Sequence, residues 1–98
     1  MGVIELKFIQ LNFDGGYKAI HCLVDDRKLG EITWYEKDGV MQMNHTFVSD
    51  ELRGQGVAKK LLDQSAEYAR NNNLKMDPIC SYVVSAFEKS NEYDDIKA

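Results

Sequence analysis

Val48-Ser49-Asp50-Glu51-Leu52-Arg53-Gly54-Gln55-Gly56-Val57-Ala58-Lys59-Lys60 joins two stretches of different hydrophobic period, and that change decides the fold class. Downstream, Ala58, Leu61, Leu62, Ser65, Ala66 and Ala69 recur at helical spacing. Lys59, Lys60, Asp63, Gln64, Glu67 and Arg70 fill the opposite face. The spacing predicts a helix from Gln55 to Asn71, closed by Asn71-Asn72-Asn73, because asparagine tolerates left-handed backbone. In the join, Gly54 and Gly56 let several N–H groups point into one concavity. The helix behind them adds unpaired amides and about half a positive charge at its start. Between Leu52 and Leu62 the only charged residues are Arg53, Lys59 and Lys60, all positive, in a chain of net charge −4. These residue types in this order suit a phosphate-bearing ligand.

Upstream of the join the period is two. Tyr17 to Val24 reads as a strand with Ile20, Cys22 and Val24 on one face and Tyr17, Ala19, His21 and Leu23 on the other. Leu29 to Tyr35 follows, and Lys37-Asp38-Gly39 turns the chain into Val40 to Val48, Asp-Gly being a favoured hairpin signal. Val3 to Leu11 adds an edge strand. Beyond the helix, Leu74 to Cys80 reads as another strand, which Pro78 forces to be an edge, bulged or splayed. Ser81 is expected to cap a short last helix carrying Val83, Ala86 and Phe87, before a loosely held acidic tail from Asn91 to Ala98. The whole is an α/β (α+β) domain, a mainly antiparallel sheet with two C-terminal helices.

A length of 98 residues allows one domain, 1–98, since a second core would leave neither half enough apolar surface to bury. The excess of 16 acidic over 12 basic residues removes the general attraction behind non-specific nucleic-acid binding. No apolar run approaches the roughly 20 residues that span a bilayer, so no membrane partner is expected. The start, Met1 to Leu6, carries neither a basic-then-apolar leader nor the Ser/Thr of a myristoylation pattern. A cytoplasmic location is therefore expected, with Cys22 and Cys80 reduced. No two of the Cys and His residues share a short loop as zinc ligands do, so no metal is expected.

Two familiar phosphate fingerprints fail. The Walker pattern needs four residues between its glycines, and the dinucleotide pattern needs Gly or Ala where Lys59 stands. The pattern R/Q-x-x-G-x-G/A does fit, as Arg53-x-x-Gly56-x-Ala58, after a strand and before an amphipathic helix. At this point the sequence resembles the GNAT superfamily of acetyl-CoA-dependent N-acetyltransferases. More narrowly it resembles a short single-domain branch with His-Thr before the loop and Pro-x-Cys-Ser after the helix, here His45-Thr46 and Pro78-Ile79-Cys80-Ser81. The resemblance runs from about Tyr17 to Tyr93. It implies a minimal GNAT-like fold with splayed central strands. It also implies that residues 53 to 59 (Arg53, Gly54, Gln55, Gly56, Val57, Ala58, Lys59) hold the pyrophosphate of acetyl-CoA. Phe47 and Val48 would pair with its pantetheine amides.

The reaction so implied is acetyl transfer to an amine of unknown identity or a protein acceptor, by a monomer or a dimer. His45 and Cys80 are the titratable candidates for catalysis. By simple alternation His45 falls on the buried face of Met41, Met43 and Phe47, a face that a bulge before the loop would reverse. Cys80 stands open to three roles: acid, transient acetyl acceptor or buried structural residue. The Asn and Tyr that many family members place around the last helix are not matched, and Tyr82 and Tyr93 are the stand-ins. Two other readings follow: a non-enzymatic acyl-CoA-binding or interaction module, and self-acetylation at Cys80. His21 and Cys22, neighbours on one strand, point to opposite faces and are assigned to structure.

Overall fold

The computed structural model describes residues 4–98. Val3, the start of the expected edge strand, and Met1-Gly2, read above for targeting signals, lie outside them. Five strands run β1 (Lys7–Asn12), β2 (Tyr17–Val24), β3 (Arg27–Lys37), β4 (Val40–Val48) and β5 (Lys75–Pro78), in the spatial order β1-β2-β3-β4-β5. The first four pair antiparallel, and β5 joins β4 in parallel. Two of the three hairpins, β2–β3 and β3–β4, close through two-residue turns whose central residues take positive φ: Asp25 (49°) and Asp26 (64°), then Asp38 (53°) and Gly39 (80°). Such turns match the twist of the strands they join.

The parallel step from β4 to β5 needs a crossover, and α1 (Val57–Asn71) supplies it. Val57, Leu61, Leu62, Ser65, Ala66 and Ala69 are buried against Ile20, Cys22, Ile32, Trp34, Met41 and Met43 of the sheet. The face drawn from the sequence is therefore the core face, with Val57 rather than Ala58 leading it. The helix begins two residues later than expected because Gly56, its N-cap, sits in the left-handed region at φ 65°. At the far end Asn73 takes φ 56°, as the asparagine run suggested. Ser65, the polar member of the buried face, is satisfied by donating to the Leu62 carbonyl at 2.7 Å.

α2 (Ser81–Lys89) adds Val83 and Phe87 to the same core. Its N-cap is Cys80, without a side-chain capping bond, so Ser81 is the first helical residue and not the cap. The acidic tail is not loose. Tyr93 and Ile96 are each 3% exposed, Lys97 bridges to Met76, and Arg70 holds Asp95 at 2.8 Å. Two apolar side chains in a polar run suffice to dock it, because together they fill the space beside α1 and Phe87, whose ring stacks on Tyr93.

Pairing between β4 and β5 stops at Met43 and Pro78. The Met43 carbonyl accepts from both Ile79 N–H (3.1 Å) and Cys80 N–H (2.9 Å), after which α2 carries the chain away. β4 continues for five more residues, Asn44 to Val48, paired only with β3 on its other edge. The splayed pair thus lies at one side of the sheet, and Pro78, lacking an N–H, is the last paired residue of β5.

Candidate acetyl-CoA site

The parting strands and the start of α1 meet at the loop after Val48. Ser49 opens it as the N-cap of a short 3-10 turn, Asp50–Leu52, accepting from Glu51 N–H at 3.2 Å. Arg53 N–H then donates to the Asp50 carbonyl and Gln55 N–H to the Leu52 carbonyl, both at 3.1 Å. Those two amides are engaged within the loop. The first α1 bond is Lys60 N–H to the Gly56 carbonyl, so the amides of Val57, Ala58 and Lys59 precede the helical ladder and face outward. Gly54 (φ 81°) and Gly56 (φ 65°) have no atom within 4 Å of where a Cβ would stand. Backbone conformation, not crowding, is what asks for glycine here, and it leaves open space over the helix start.

The three cations read as a local basic site are each paired inside the chain. Arg53 meets Asp50 at 3.1 Å, Lys60 donates to the Gln55 carbonyl at 2.7 Å, and Lys59 meets Asp63 at 2.8 Å and Glu92 at 3.1 Å. Donating hydrogen bonds to Asp63 and then to Glu92 holds Lys59 well above the ordinary lysine range. An anion at this loop is met first by backbone N–H groups and the helix terminus, with Arg53 and Lys59 as exposed side chains at its rim.

Beside Lys59 a cleft of about 230 Å³ runs between α1 and α2, lined by Lys59, Tyr82, Ala86, Lys89, Glu92 and Tyr93 among others. Burial pushes both tyrosines up from the ordinary phenol value, with Asp63 adding to each shift. Tyr93 is committed elsewhere, its hydroxyl donating to Asp63 Oδ1 at 2.5 Å. Of the two stand-ins for an acid, only Tyr82, half-buried on the cleft wall, makes no side-chain hydrogen bond among the described residues.

Cys80, at the point where β5 gives way to α2, is half-buried with its Sγ 3.4 Å from Thr46 Oγ1. Cys22 is a different case: fully buried in the core, its thiol pushed up by burial. Both thiols are free.

His45 departs from simple alternation. Thr33 pairs with His45 and Trp34 with Met43, so Asn44 is an extra residue in β4 and the face reverses after it. Thr46 now shares the α1 face with Met43, while His45 and Phe47 turn outward on the face away from α1, Phe47 being 47% exposed. His45 is therefore not a core histidine. Its Nε2 lies 3.2 Å from Glu31 Oε2, and Glu31 in turn has His21 Nε2 at 3.4 Å and Lys28 Nζ at 3.1 Å from Oε1. His45 and Cys80 do not meet: adjacent residues His45 and Thr46 point to opposite faces, one toward Glu31 and the other toward the thiol. Glu31 and its contact with His21 escaped the sequence reading because they depend on cross-strand register, His21 opposite Glu31, which no local pattern encodes.

Among the described residues, no helix is long and apolar enough to cross a membrane, and no cluster of three His, Cys, Asp or Glu is arranged to hold a metal. No curated protein matches the sequence. Solved structures do. A GCN5-like protein from Staphylococcus aureus is 35% identical, with TM-score 0.70 over 100% of this chain and 91% of its own. A ribosomal-protein-alanine N-acetyltransferase from Brucella melitensis is 24% identical with TM-score 0.62, covering 87% of this chain and 64% of its own. An aminoglycoside acetyltransferase from an uncultured soil sample shares the fold at 14% identity, TM-score 0.65, over 81% of this chain and 59% of its own. Residues 19–96 match the family described as GCN5-related N-acetyl-transferase, a span that runs from within β2 past α2 and holds every residue of the loop. With that match and a relative 35% identical over the whole chain, this chain belongs to the GCN5-related N-acetyltransferases.

Proposed function

We propose that acetyl-CoA is the acyl donor of this chain and that an amine is its acceptor. The observation that carries the reading is the coincidence of two openings. The amides of Val57, Ala58 and Lys59 precede the α1 ladder beside two uncrowded left-handed glycines, and the adjoining edge of β4 is left by β5 after Met43. The first opening suits the pyrophosphate, with Gly54 and Gly56 giving close approach and Arg53, Gln55 and Lys59 flanking. The second suits an extended arm with amides, laid along Phe47 and Val48 as an added strand.

When bound, acetyl-CoA supplies the thioester whose acetyl group is transferred. The chain's part is to hold it, orient it and manage protons. The groups nearest the gap are Cys80 with Thr46 on one side and His45 on the other. In this reading the Cys80 thiol, 3.4 Å from Thr46 Oγ1, gives a proton to the departing sulfur or accepts the acetyl group itself. Intact mass after incubation with acetyl-CoA, compared with Cys80→Ala, separates those roles: an adduct lost in the variant marks an acceptor thiol.

Thiol release from acetyl-CoA, followed with a chromogenic reagent across a panel of amines and lysine peptides, tests the function. Release that depends on acceptor and disappears in Gly56→Val supports transfer. Loop binding without release to any acceptor marks a non-enzymatic acyl-CoA-binding module instead.

A further inference from the structure

The face of the sheet away from α1 carries one polar cluster spread over three strands: His21 of β2, Lys28 and Glu31 of β3, and His45 of β4. Its members differ in access. The His45 side chain is 54% exposed, whereas those of Glu31 and His21 are each 18% exposed. An outer imidazole is thus backed by a half-buried carboxylate, and the carboxylate is held from its other oxygen by a second imidazole and an ammonium. That order, a reachable base oriented by a third group, is the logic of catalytic base sites generally.

Three further observations place the cluster at the reaction and not elsewhere on the sheet. His45 lies in the segment of β4 that β5 has left, one residue from the Thr46 that touches Cys80. The bulge at Asn44 is what aims His45 outward, and bulges beside active sites commonly re-aim a side chain in this way. A metal does not explain the cluster, since these three side chains do not form a metal-holding group.

We propose that His45 is the acceptor-side base of the transfer, with Glu31 as the positioning residue that fixes its ring and His21 and Lys28 as the groups that fix Glu31. The proposal rests on acetyl-CoA being the donor and adds where the acceptor approaches: from the sheet face away from α1. A carboxylate facing Nε2 favours the tautomer with the proton on that nitrogen and leaves the lone pair on Nδ1. As the acceptor nitrogen gains its bond to the acyl carbon, the carbon–sulfur bond breaks. The proton lost from nitrogen passes to His45 Nδ1 and on to water, and water or the Cys80 thiol protonates the departing sulfur.

Two measurements test this separately from the donor assignment. In the free protein, the ¹⁵N shifts of the neutral His45 ring are expected to show Nε2 as the protonated nitrogen and Nδ1 as the bare one; the reverse tautomer overturns the proposal. Thiol release from acetyl-CoA with an unstructured lysine peptide is then compared among wild type, His45→Gln, Glu31→Gln and His21→Gln. Amide shifts at Gly54 to Lys60 report acetyl-CoA binding in each. The expected result is unchanged donor binding with kcat roughly 100-fold lower in His45→Gln and a smaller loss in Glu31→Gln and His21→Gln. The wild-type advantage over His45→Gln should shrink as pH falls. The charged neighbours facing that ring, Glu31, Lys28 and His21, are the same in the comparison. Equal rates in wild type and His45→Gln, a ratio that ignores pH, or a wild type that binds acetyl-CoA and releases no thiol overturns the base. Absent loop shifts in wild type overturn the donor assignment instead, and the ring nitrogens still judge the His45–Glu31 contact on its own.

Discussion

From Val40 to Met43, β4 is paired on both edges, and Met41 and Met43 have no exposed surface. From Asn44 to Val48 it keeps only β3, takes in an extra residue and turns His45 and Phe47 to solvent. One strand therefore does two jobs. The first half is sheet interior, where a side chain is valued for filling volume. The second presents a free backbone edge with a thiol on one side and an imidazole on the other, which is where a ligand can be admitted without unfolding anything.

Substitutions in the two halves should separate sharply. Met43→Ala removes a fully buried side chain and is expected to cost about 2–5 kcal/mol, read from urea unfolding. For a domain whose whole stability is about 5–15 kcal/mol, that approaches collapse. Gly56→Val acts at the loop that serves the free half. Holding a β-branched residue at φ 65° costs about 1–3 kcal/mol, and acetyl-CoA binding should be lost while the fold persists in its amide spectrum.

A pH effect probes the paired half. Tyr68 packs with its ring tilted against Trp34, the partner of Met43, and its hydroxyl donates to Glu36 at 2.9 Å. Burial first, and Glu36 second, push its phenol up to about 12. Below the ordinary tyrosine value, about 10, the group is protonated in folded and unfolded chains alike and stability is flat. Between there and the folded value the unfolded chain ionises first, so stability falls as pH rises. Tyr82 and Tyr93 are raised in the same sense and deepen the fall. Denaturation midpoints in alkaline buffers should show that limb, shallower in Tyr68→Phe. The smallest effect is expected from Phe47→Ala in the free half, below about 1 kcal/mol by the same urea assay, since nearly half of that residue already faces water.

The sequence made visible whatever local chemistry dictates. The α1 face follows from spacing, the turn at Asp38-Gly39 from residues that accept positive φ, and the loop from glycines before an amphipathic helix. What stayed hidden depends on partners far along the chain. The bulge at Asn44 exists only in register with β3, so His45 was assigned to the core face by an alternation that the pairing breaks. Glu31 gained meaning only when β2 and β4 placed a histidine on each side of it. The engagement of Lys59 by Glu92 needed a tail folded back onto α1, and that docking came from Tyr93 and Ile96, two apolar residues in a segment that reads as solvated.

The central claim is that acetyl-CoA enters where the two halves of β4 divide. Backbone amide shifts recorded during titration with acetyl-CoA test it most directly. Perturbation of Gly54 to Lys60 and of Thr46 to Val48 is expected, with Val40 to Met43 unmoved. Silence across Gly54 to Lys60 at millimolar ligand, or shifts confined to the paired half, would contradict it.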